Sequence, residues 1–168
     1  CNESRHDGIH TFYLEKNARV HYVEKHYGEG LGQGKNVMNP ETIATAIKIG
    51  NPISWEKSLR GLKWCNGVVE DVTEQEIMDA KAWVDAAGIG AEPASCCSVA
   101  GAKKLVDAGV IDPEAKVVGI LTGNMLKDPD AIIGYHKDEL GALGIRGTYA
   151  NAPVVIEPTL EAVKAAIK

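Results

Sequence analysis

Aromatic residues are scarce in this chain, at 5% of its 168 residues with a single phenylalanine. Hydrophobic residues still make up 45%, so one domain with an aliphatic core is expected, because a chain of this length buries roughly 70% of its unfolded surface. The chain also lacks an excess of positive charge, because it has 18 basic and 23 acidic residues and a net charge of −5. This balance argues against a general binder of nucleic acids or anionic membranes.

Long apolar runs are also lacking. None approaches the roughly 18 residues needed to span a bilayer, and no secretory signal is recognisable, so the sequence predicts a cytoplasmic protein. The four cysteines, Cys1, Cys65, Cys96 and Cys97, contain no C-x-x-C pair, which favours reduced thiols over a disulfide framework. The chain begins with cysteine rather than methionine, which suggests a fragment or a processed start.

Glycine is concentrated in GEGLGQGK, residues 28–35, but without the spacing of a phosphate-binding loop. A dinucleotide fingerprint would need glycine at Gln33 or Lys35, and a P-loop would need glycine at Glu29 and Ser or Thr at Asn36. Both motifs fail. The segment therefore predicts a flexible link.

The composition and periodicity of the sequence change near residue 40. Residues 1–35 are rich in β-branched and aromatic residues and predict a β-rich segment, a hairpin or meander. Residues 36–168 predict an α/β domain, because strand-like and helix-like segments alternate there. We expect residues 68–121 to form a parallel βαβαβ unit, with helices on both faces of the sheet.

The amino-terminal segment also contains four potential metal ligands, Cys1, Glu3, His6 and His10. Sulfur and imidazole suit iron or zinc. However, His6 and His10 would share a face only on a helix, whereas IHTFYL has the composition of a strand. An exposed polar edge of a β-structure is therefore the preferred interpretation, and no metal site is predicted.

The run VVGILTGN ends a predicted buried strand with Thr122, Gly123 and Asn124. Ligands of open α/β sheets bind beyond the carboxyl ends of the strands, so a hydroxyl at this position is well placed to contact one. The alternative is an ordinary strand-to-loop turn, for which these three residue types are common.

Three segments, in the order IATAIKIGNPISW, EPAS and LTGNMLKDP, resemble the carboxyl-terminal part of threonine synthase, a pyridoxal-phosphate enzyme of fold type II. The resemblance covers the chain from about Asn39 to its end. It implies pyridoxal phosphate as cofactor, a small amino-acid substrate and the conversion of O-phosphohomoserine to threonine. It also implies that Thr122 contacts the pyridine nitrogen of the cofactor and that Gly123 lets the backbone pass close beneath the ring.

Two features that this resemblance implies are not found in the chain. One is the Schiff-base lysine, which lies in an early motif of the family, and the other is the phosphate-binding glycine loop. Lys127 in LKDPD matches a late loop of the family rather than the catalytic lysine. No catalytic residue is therefore assigned, and the isolated chain is predicted to be inactive and to bind the cofactor weakly or not at all.

Residues 1–35 instead resemble part of the SufB/SufD core, a β-helical scaffold of iron–sulfur cluster assembly, on the stretch CNESRHDGIHTFYLEKNARVHYVEKHYGEG. This resemblance implies a fusion point near residues 36–42, and a second interpretation of the whole chain as a non-catalytic scaffold or interaction protein. One or two rungs of a β-helix cannot cover their own edges. The segment is therefore expected to dock on a second copy of the chain, giving a homodimer, or to fray.

Overall fold

The computed structural model of the protein describes residues 39–167. Within them lie five α-helices and three short 3-10 helices. The α-helices are α1 (Trp55–Cys65), α2 (Glu74–Ala86), α3 (Pro93–Asp107), α4 (Pro129–His136) and α5 (Leu160–Ala166); the 3-10 helices are Thr45–Ile47, Met125–Lys127 and Gly141–Leu143.

Helix α2 begins and ends where local sequence signals predict. The Thr73 side chain accepts a hydrogen bond from the Glu76 backbone N–H at 3.2 Å, and the Glu76 carboxylate accepts one from the Thr73 backbone N–H at 2.6 Å. This reciprocal pair is a capping box, and it satisfies donors that the first helical turn cannot satisfy itself. Gly88, with φ of 77°, follows the helix in the left-handed conformation that glycine adopts without strain.

The main core lies between α2 and α3. Helix α2 contributes Ile77, Ala80 and Val84, and α3 packs small residues such as Cys96 and Ala100 against them. Small side chains on α3 allow the two helices to approach closely. The helical spacing of Ile77, Ala80, Val84 and Ala87 predicts an apolar face on α2; the first three are buried, whereas Ala87 is exposed. Both helical cysteines are buried, as expected for small residues of a core.

A second cluster lies on the other side of α2, where Met78 and Ala82 pack against Tyr135 of α4 and Ile145. Tyr135 is 1% exposed, and its hydroxyl donates a 2.6 Å hydrogen bond to Asp79 of α2. The same hydroxyl accepts a bond from the backbone N–H of Tyr149 at 3.1 Å. Helix α2 is thus the central element, with α3 on one side and α4 on the other.

The predicted parallel βαβαβ unit does not form within residues 39–167. The segments 68–72, 88–92 and 116–121 run between helices without a β-ladder, and the bridge between Ala91 and Asn124 is isolated and antiparallel. A parallel strand requires neighbours that satisfy its backbone and cover its two faces. Here Val118 remains 88% exposed, whereas Val72 and Ala91 of the other two segments pack into the α2–α3 core, so the described segments lie against helices without pairing with one another.

Two further expectations are corrected. In the sequence, a potential cap at Asn39, Pro40 at the first helical position and a stop at Gly50 predict a helix, but the structure has only the 3-10 turn Thr45–Ile47 there. The physical reason is tertiary, because the backbone N–H of Ile43 donates to the Glu74 carboxylate at 3.0 Å and holds this stretch against the start of α2. At the other end, the sequence predicts a closing amphipathic helix whose stripe of Leu160, Val163 and Ile167 packs in the core; α5 forms, but these three side chains are exposed.

In the described part of the chain no helix is long and apolar enough to cross a membrane. Among the same residues, no group of three or more His, Cys, Asp or Glu side chains could hold a metal ion. The amino-terminal segment 1–35, with Cys1, Glu3, His6 and His10, lies outside the described residues.

Candidate functional site

The turn that follows residues 116–121 is tied to the amino-terminal end of α3 through one side chain. Ser95, in the first turn of α3, is 4% exposed. Its Oγ accepts hydrogen bonds from the backbone N–H of Thr122 and from that of Gly123, each at 2.9 Å. It also lies 3.2 Å from the hydroxyl oxygen of Thr122. The EPAS and LTGN segments thus form one site, although 27 residues separate Ser95 from Thr122.

A backbone bond next to Ser95 fixes the same contact. The N–H of Glu92 donates to the carbonyl oxygen of Gly123 at 3.0 Å. Gly123 is held both through its N–H and through its carbonyl group, while the Thr122 residue as a whole stays exposed. The turn is therefore rigidly placed, and its threonine remains open to a ligand.

Gly123 lies directly over the Glu92 carboxylate. A Cβ atom at position 123 would lie 1.9 Å from Glu92 Oε1 and 2.1 Å from its Cδ. Since real Cβ contacts are never so short, glycine is required here for space. The family resemblance implies that Gly123 lets the backbone pass close beneath a cofactor ring, which stays a prediction; the structure shows that the side chain of Glu92 lies against Gly123.

Glu92 itself is a buried carboxylate, only 2% exposed. Its Oε1 lies 3.5 Å from Ser95 Oγ, and its Oε2 forms an ion pair with Lys127 Nζ at 3.2 Å. The contact between Lys127 Nζ and Glu92 Oε2 lacks hydrogen-bond geometry, so Oε2 has no hydrogen-bond partner among the described residues. A buried carboxylate oxygen without a hydrogen bond is costly and is a feature of functional sites rather than of ordinary cores.

The IATAIKI segment contacts the same region. Thr45, in the IATAIKI segment, donates a 2.6 Å hydrogen bond to Asp128 Oδ1, directly after the Lys127 that pairs with Glu92. The second carboxylate oxygen of Asp128 is buried and has no hydrogen-bond partner in the described structure. All three segments that carry the family resemblance are thus connected by specific polar contacts.

Cys96, beside Ser95 on α3, is not a candidate nucleophile. Burial raises the pKa of its thiol to about 12, and the side chain is fully inaccessible. The thiolate is the reactive form of cysteine. At neutral pH this thiol therefore remains protonated and unreactive.

The described residues fit one end of pyridoxal phosphate. Thr122 offers an exposed neutral hydroxyl, which suits a pyridine nitrogen, and it is held by Ser95 rather than by a carboxylate. Close to it, the space that a side chain at Gly123 would fill is taken by Glu92. Were the ring bound here, Thr122 would hold its nitrogen.

Thr122 and Gly123 are therefore placed together as predicted from sequence, although their contact with a cofactor stays a prediction. Ser95 and Glu92 were not assigned any role from sequence. A signal for them was present, because EPAS and LTGN each follow a predicted strand, and the carboxyl ends of parallel strands meet at one edge of a sheet. The chemistry of the site depends on these two additional residues.

The chain is similar in sequence to known proteins. The family described as pyridoxal-phosphate dependent enzyme matches residues 5–123. A threonine synthase of Methanosarcina acetivorans is 42% identical over 130 residues, which cover 77% of this chain and 29% of that protein. A threonine synthase of Halalkalibacterium halodurans is 46% identical over 127 residues, which cover 73% of this chain and 36% of that protein.

The match to a third relative extends further along the chain. Threonine synthase 2, chloroplastic, of Arabidopsis thaliana is 33% identical over 163 residues, 96% of this chain and 31% of that protein. The chain thus spans about a third of the length of these relatives. The family match crosses the expected boundary between residues 35 and 36, and these matches do not show the SufB/SufD resemblance expected for residues 1–35.

The matches give the assignment. The family match covers residues 5–123, which is most of the chain and includes Glu92, Ser95, Thr122 and Gly123. Pyridoxal phosphate is the cofactor that this family implies. The chain belongs to the family of pyridoxal-phosphate dependent enzymes.

Proposed function

We propose that this chain provides the carboxyl-terminal wall of the cofactor site in a threonine synthase, which converts O-phosphohomoserine to threonine. The observation that carries the proposal is the double hydrogen bond from the backbone of Thr122 and Gly123 to Ser95 Oγ. It holds the threonine hydroxyl at one end of a site built from all three family motifs. The relatives to which the chain is similar are named threonine synthase.

The roles of the residues follow from their chemistry. When bound, pyridoxal phosphate supplies an electron sink for negative charge that develops on an amino-acid substrate. Thr122 binds the pyridine nitrogen through a neutral hydroxyl, which orients the ring without placing a formal charge beside it. Ser95 orients Thr122. Glu92, buried beneath Gly123, limits how closely the turn can approach α3.

The extended segments of the chain have a place in the same proposal. Residues 68–72, 88–92 and 116–121 act as parallel strands once neighbouring strands of a complete fold type II enzyme pair with them. The exposure of Val117, Val118 and Ile120 supports this, because apolar residues on both faces are typical of a strand within a covered sheet. Large exposed apolar patches of this kind mark surfaces that another element covers.

Activity is expected only in a complete enzyme. The isolated chain should form no threonine from O-phosphohomoserine and should bind pyridoxal phosphate weakly or not at all, because a lysine that attaches the cofactor was not identified in it. The test measures threonine and inorganic phosphate after incubation of the purified chain with cofactor and substrate. Threonine formation that disappears with Thr122→Ala would contradict this expectation.

A hybrid enzyme tests the positive part of the proposal. Residues 39–168 of this chain replace the matching part of the Methanosarcina acetivorans threonine synthase, to which the chain is 42% identical. We expect the hybrid to form threonine, and Thr122→Ala to lower its rate by about tenfold or more, the effect of one lost hydrogen bond at a reacting ring. A Thr122→Ser hybrid keeps the hydroxyl and serves as the matched control.

Two outcomes would contradict the proposal. One is a folded hybrid that contains pyridoxal phosphate and forms no threonine. The other is a hybrid in which Thr122→Ala and Thr122→Ser are equally active, because the hydroxyl would then have no role at the ring.

A further inference from the structure

The hydrogen bonds of Ser95 constrain the direction of the neighbouring Thr122 hydroxyl. A serine hydroxyl has two acceptor lone pairs and one proton to donate. Both lone pairs of Ser95 Oγ are used, since they accept the backbone N–H groups of Thr122 and Gly123 at 2.9 Å each. Ser95 can therefore take part in further hydrogen bonds only as a donor.

Two acceptors lie within reach of the Ser95 proton. One is the Thr122 hydroxyl oxygen at 3.2 Å, and the other is Glu92 Oε1 at 3.5 Å. In either case Thr122 cannot donate to Ser95, because Ser95 has no free lone pair. The proton of the Thr122 hydroxyl is thus left for a partner outside this cluster, on the exposed side of the turn.

We propose that Ser95 is a positioning residue that fixes the LTGN turn and, by occupying its own lone pairs, makes the Thr122 hydroxyl a hydrogen-bond donor to a ring nitrogen. The inference rests on the proposed function for the identity of the ring. It adds a serine that does not itself touch the ring and that directs the threonine hydroxyl.

The buried ion pair supports this direction of donation. Glu92 is 2% exposed, and Lys127 lies 3.2 Å from its Oε2. Lys127 thus attracts the carboxylate on the side away from Ser95, and the 3.5 Å separation from Ser95 Oγ remains the longer of the two possible Ser95 donations. The shorter contact, to Thr122, is favoured for the serine proton.

The first test measures the positioning role without any ligand. In the full chain, amide hydrogen exchange of Thr122 and Gly123 is followed by NMR in Ser95→Ala and Ser95→Cys. Cysteine keeps the volume of serine but is a weak acceptor, so both variants should exchange these two amides about tenfold faster, as expected for the loss of a hydrogen bond. The α2 amides should keep their protection.

The control is Ser98→Ala on the same helix, because the Ser98 hydroxyl donates to backbone carbonyl groups, chiefly that of Ser95 at 2.8 Å, and accepts neither amide of the turn. It should leave exchange at Thr122 and Gly123 unchanged. Unchanged exchange of these amides in Ser95→Cys would overturn the proposal, as would equal effects of Ser95→Cys and Ser98→Ala.

The second test examines the direction of the Thr122 hydroxyl with two probes. Pyridoxine 5′-phosphate has the same ring without the aldehyde, so it cannot react with lysines, and its N-methyl derivative has no acceptor at the nitrogen. The pH is kept above the pKa of the pyridinium nitrogen, so that the first probe offers an unprotonated acceptor. At millimolar concentrations, the methyl and amide signals of Thr122 in the wild-type chain should shift with the first probe and not with the second. In Ser95→Cys this preference should fall by about tenfold, the effect of losing one oriented hydrogen bond.

The outcomes separate the inference from the proposed function. Equal shifts of Thr122 with both probes in the wild-type chain would overturn the donor assignment. Accelerated amide exchange in Ser95→Cys without any response of Thr122 to either probe would support Ser95 as the residue that positions the turn. That same result would overturn the donor assignment to a ring in the isolated chain, while the proposed function of the complete enzyme would stand.

Discussion

Replacement of Gly123 by alanine should be disproportionately destabilising for so small a change. The added methyl would lie 1.9 Å from Glu92 Oε1 and 2.6 Å from Oε2. Either the carboxylate must leave its buried position beside Lys127, or the turn must move away from Ser95 and lose two hydrogen bonds. Neither adjustment is available without breaking a contact that the site depends on.

The magnitude can be worked from the parts. Overpacking of a filled site costs about 1–3 kcal/mol, and each lost hydrogen bond adds about 1 kcal/mol. Alanine also lowers the conformational entropy of the unfolded chain, and this offsets about 0.4–1 kcal/mol of the loss in stability. The free energy of unfolding should therefore fall by about 2–5 kcal/mol, and the midpoint of thermal unfolding by about 4–20 °C for a chain of this size.

Urea unfolding of the full chain, followed by circular dichroism, measures this loss. Gly119→Ala is the matched control, because a Cβ there would lie 3.5 Å from Ser98 Oγ, an ordinary contact. The decisive comparison is Gly123→Ala in a Glu92→Ala background, where the carboxylate is absent and the cost should largely disappear. An equal cost with and without the Glu92 carboxylate would refute the steric explanation.

Three further predictions concern α2, its contact with α4, and the cysteines. Thr73→Ala removes the capping box of α2 and should lower the free energy of unfolding by about 1 kcal/mol. Ser54→Ala is the control and should have almost no effect, because Ser54 precedes α1 without a side-chain capping bond. Equal losses of stability in the two variants would contradict this. Tyr135→Phe should cost about 1–3 kcal/mol in urea unfolding, because it removes a buried donor to a carboxylate, and a loss below about 0.5 kcal/mol would contradict that role. Iodoacetamide at pH 8 should label the exposed Cys65 and not Cys96 in peptide mapping by mass spectrometry. Because the pKa of Cys96 is raised from 9.0 to about 12 in the folded state, the folded chain keeps this proton above pH 9 while the unfolded chain releases it. The stability that this burial contributes should decrease as the pH rises from 9 towards 12, and rapid labelling of Cys96 in the folded chain would refute its burial.

Helices α1, α2, α3 and α5 follow local signals in the sequence, whereas α4 was not predicted from it. The capping box at Thr73, the left-handed Gly88 and the proline at the start of α3 are read within a few residues of the helix ends. The segment from Asn39 to Gly50 has equally good local signals and still forms only one 3-10 turn. There, hydrogen bonds to Glu74, 31 or 32 residues away, outweigh a helix propensity of a few tenths of a kcal/mol per residue.

Strands were the least predictable elements, again for a physical reason. A helix satisfies its own backbone, whereas a strand exists only when a second strand supplies the hydrogen bonds. Apolar patterning marked residues 116–121 as a potential strand, but pairing depends on elements distant in the chain. In the described residues these side chains are exposed and unpaired as strands, so the pattern identified the segment and not its partner.

The sequence by itself determined where the helices α1 to α3 begin and end, which family the motifs resemble, and that a threonine and a glycine follow the run at residues 116–121. Only the tertiary structure decided that Ser95 binds both backbone amides of that turn and that Gly123 leaves room for a buried carboxylate rather than serving a special backbone angle. Contacts between side chains about 30 residues apart depend on how α3 is placed against the turn by the α2–α3 core. That placement results from the packing of many apolar residues at once, which no short motif encodes.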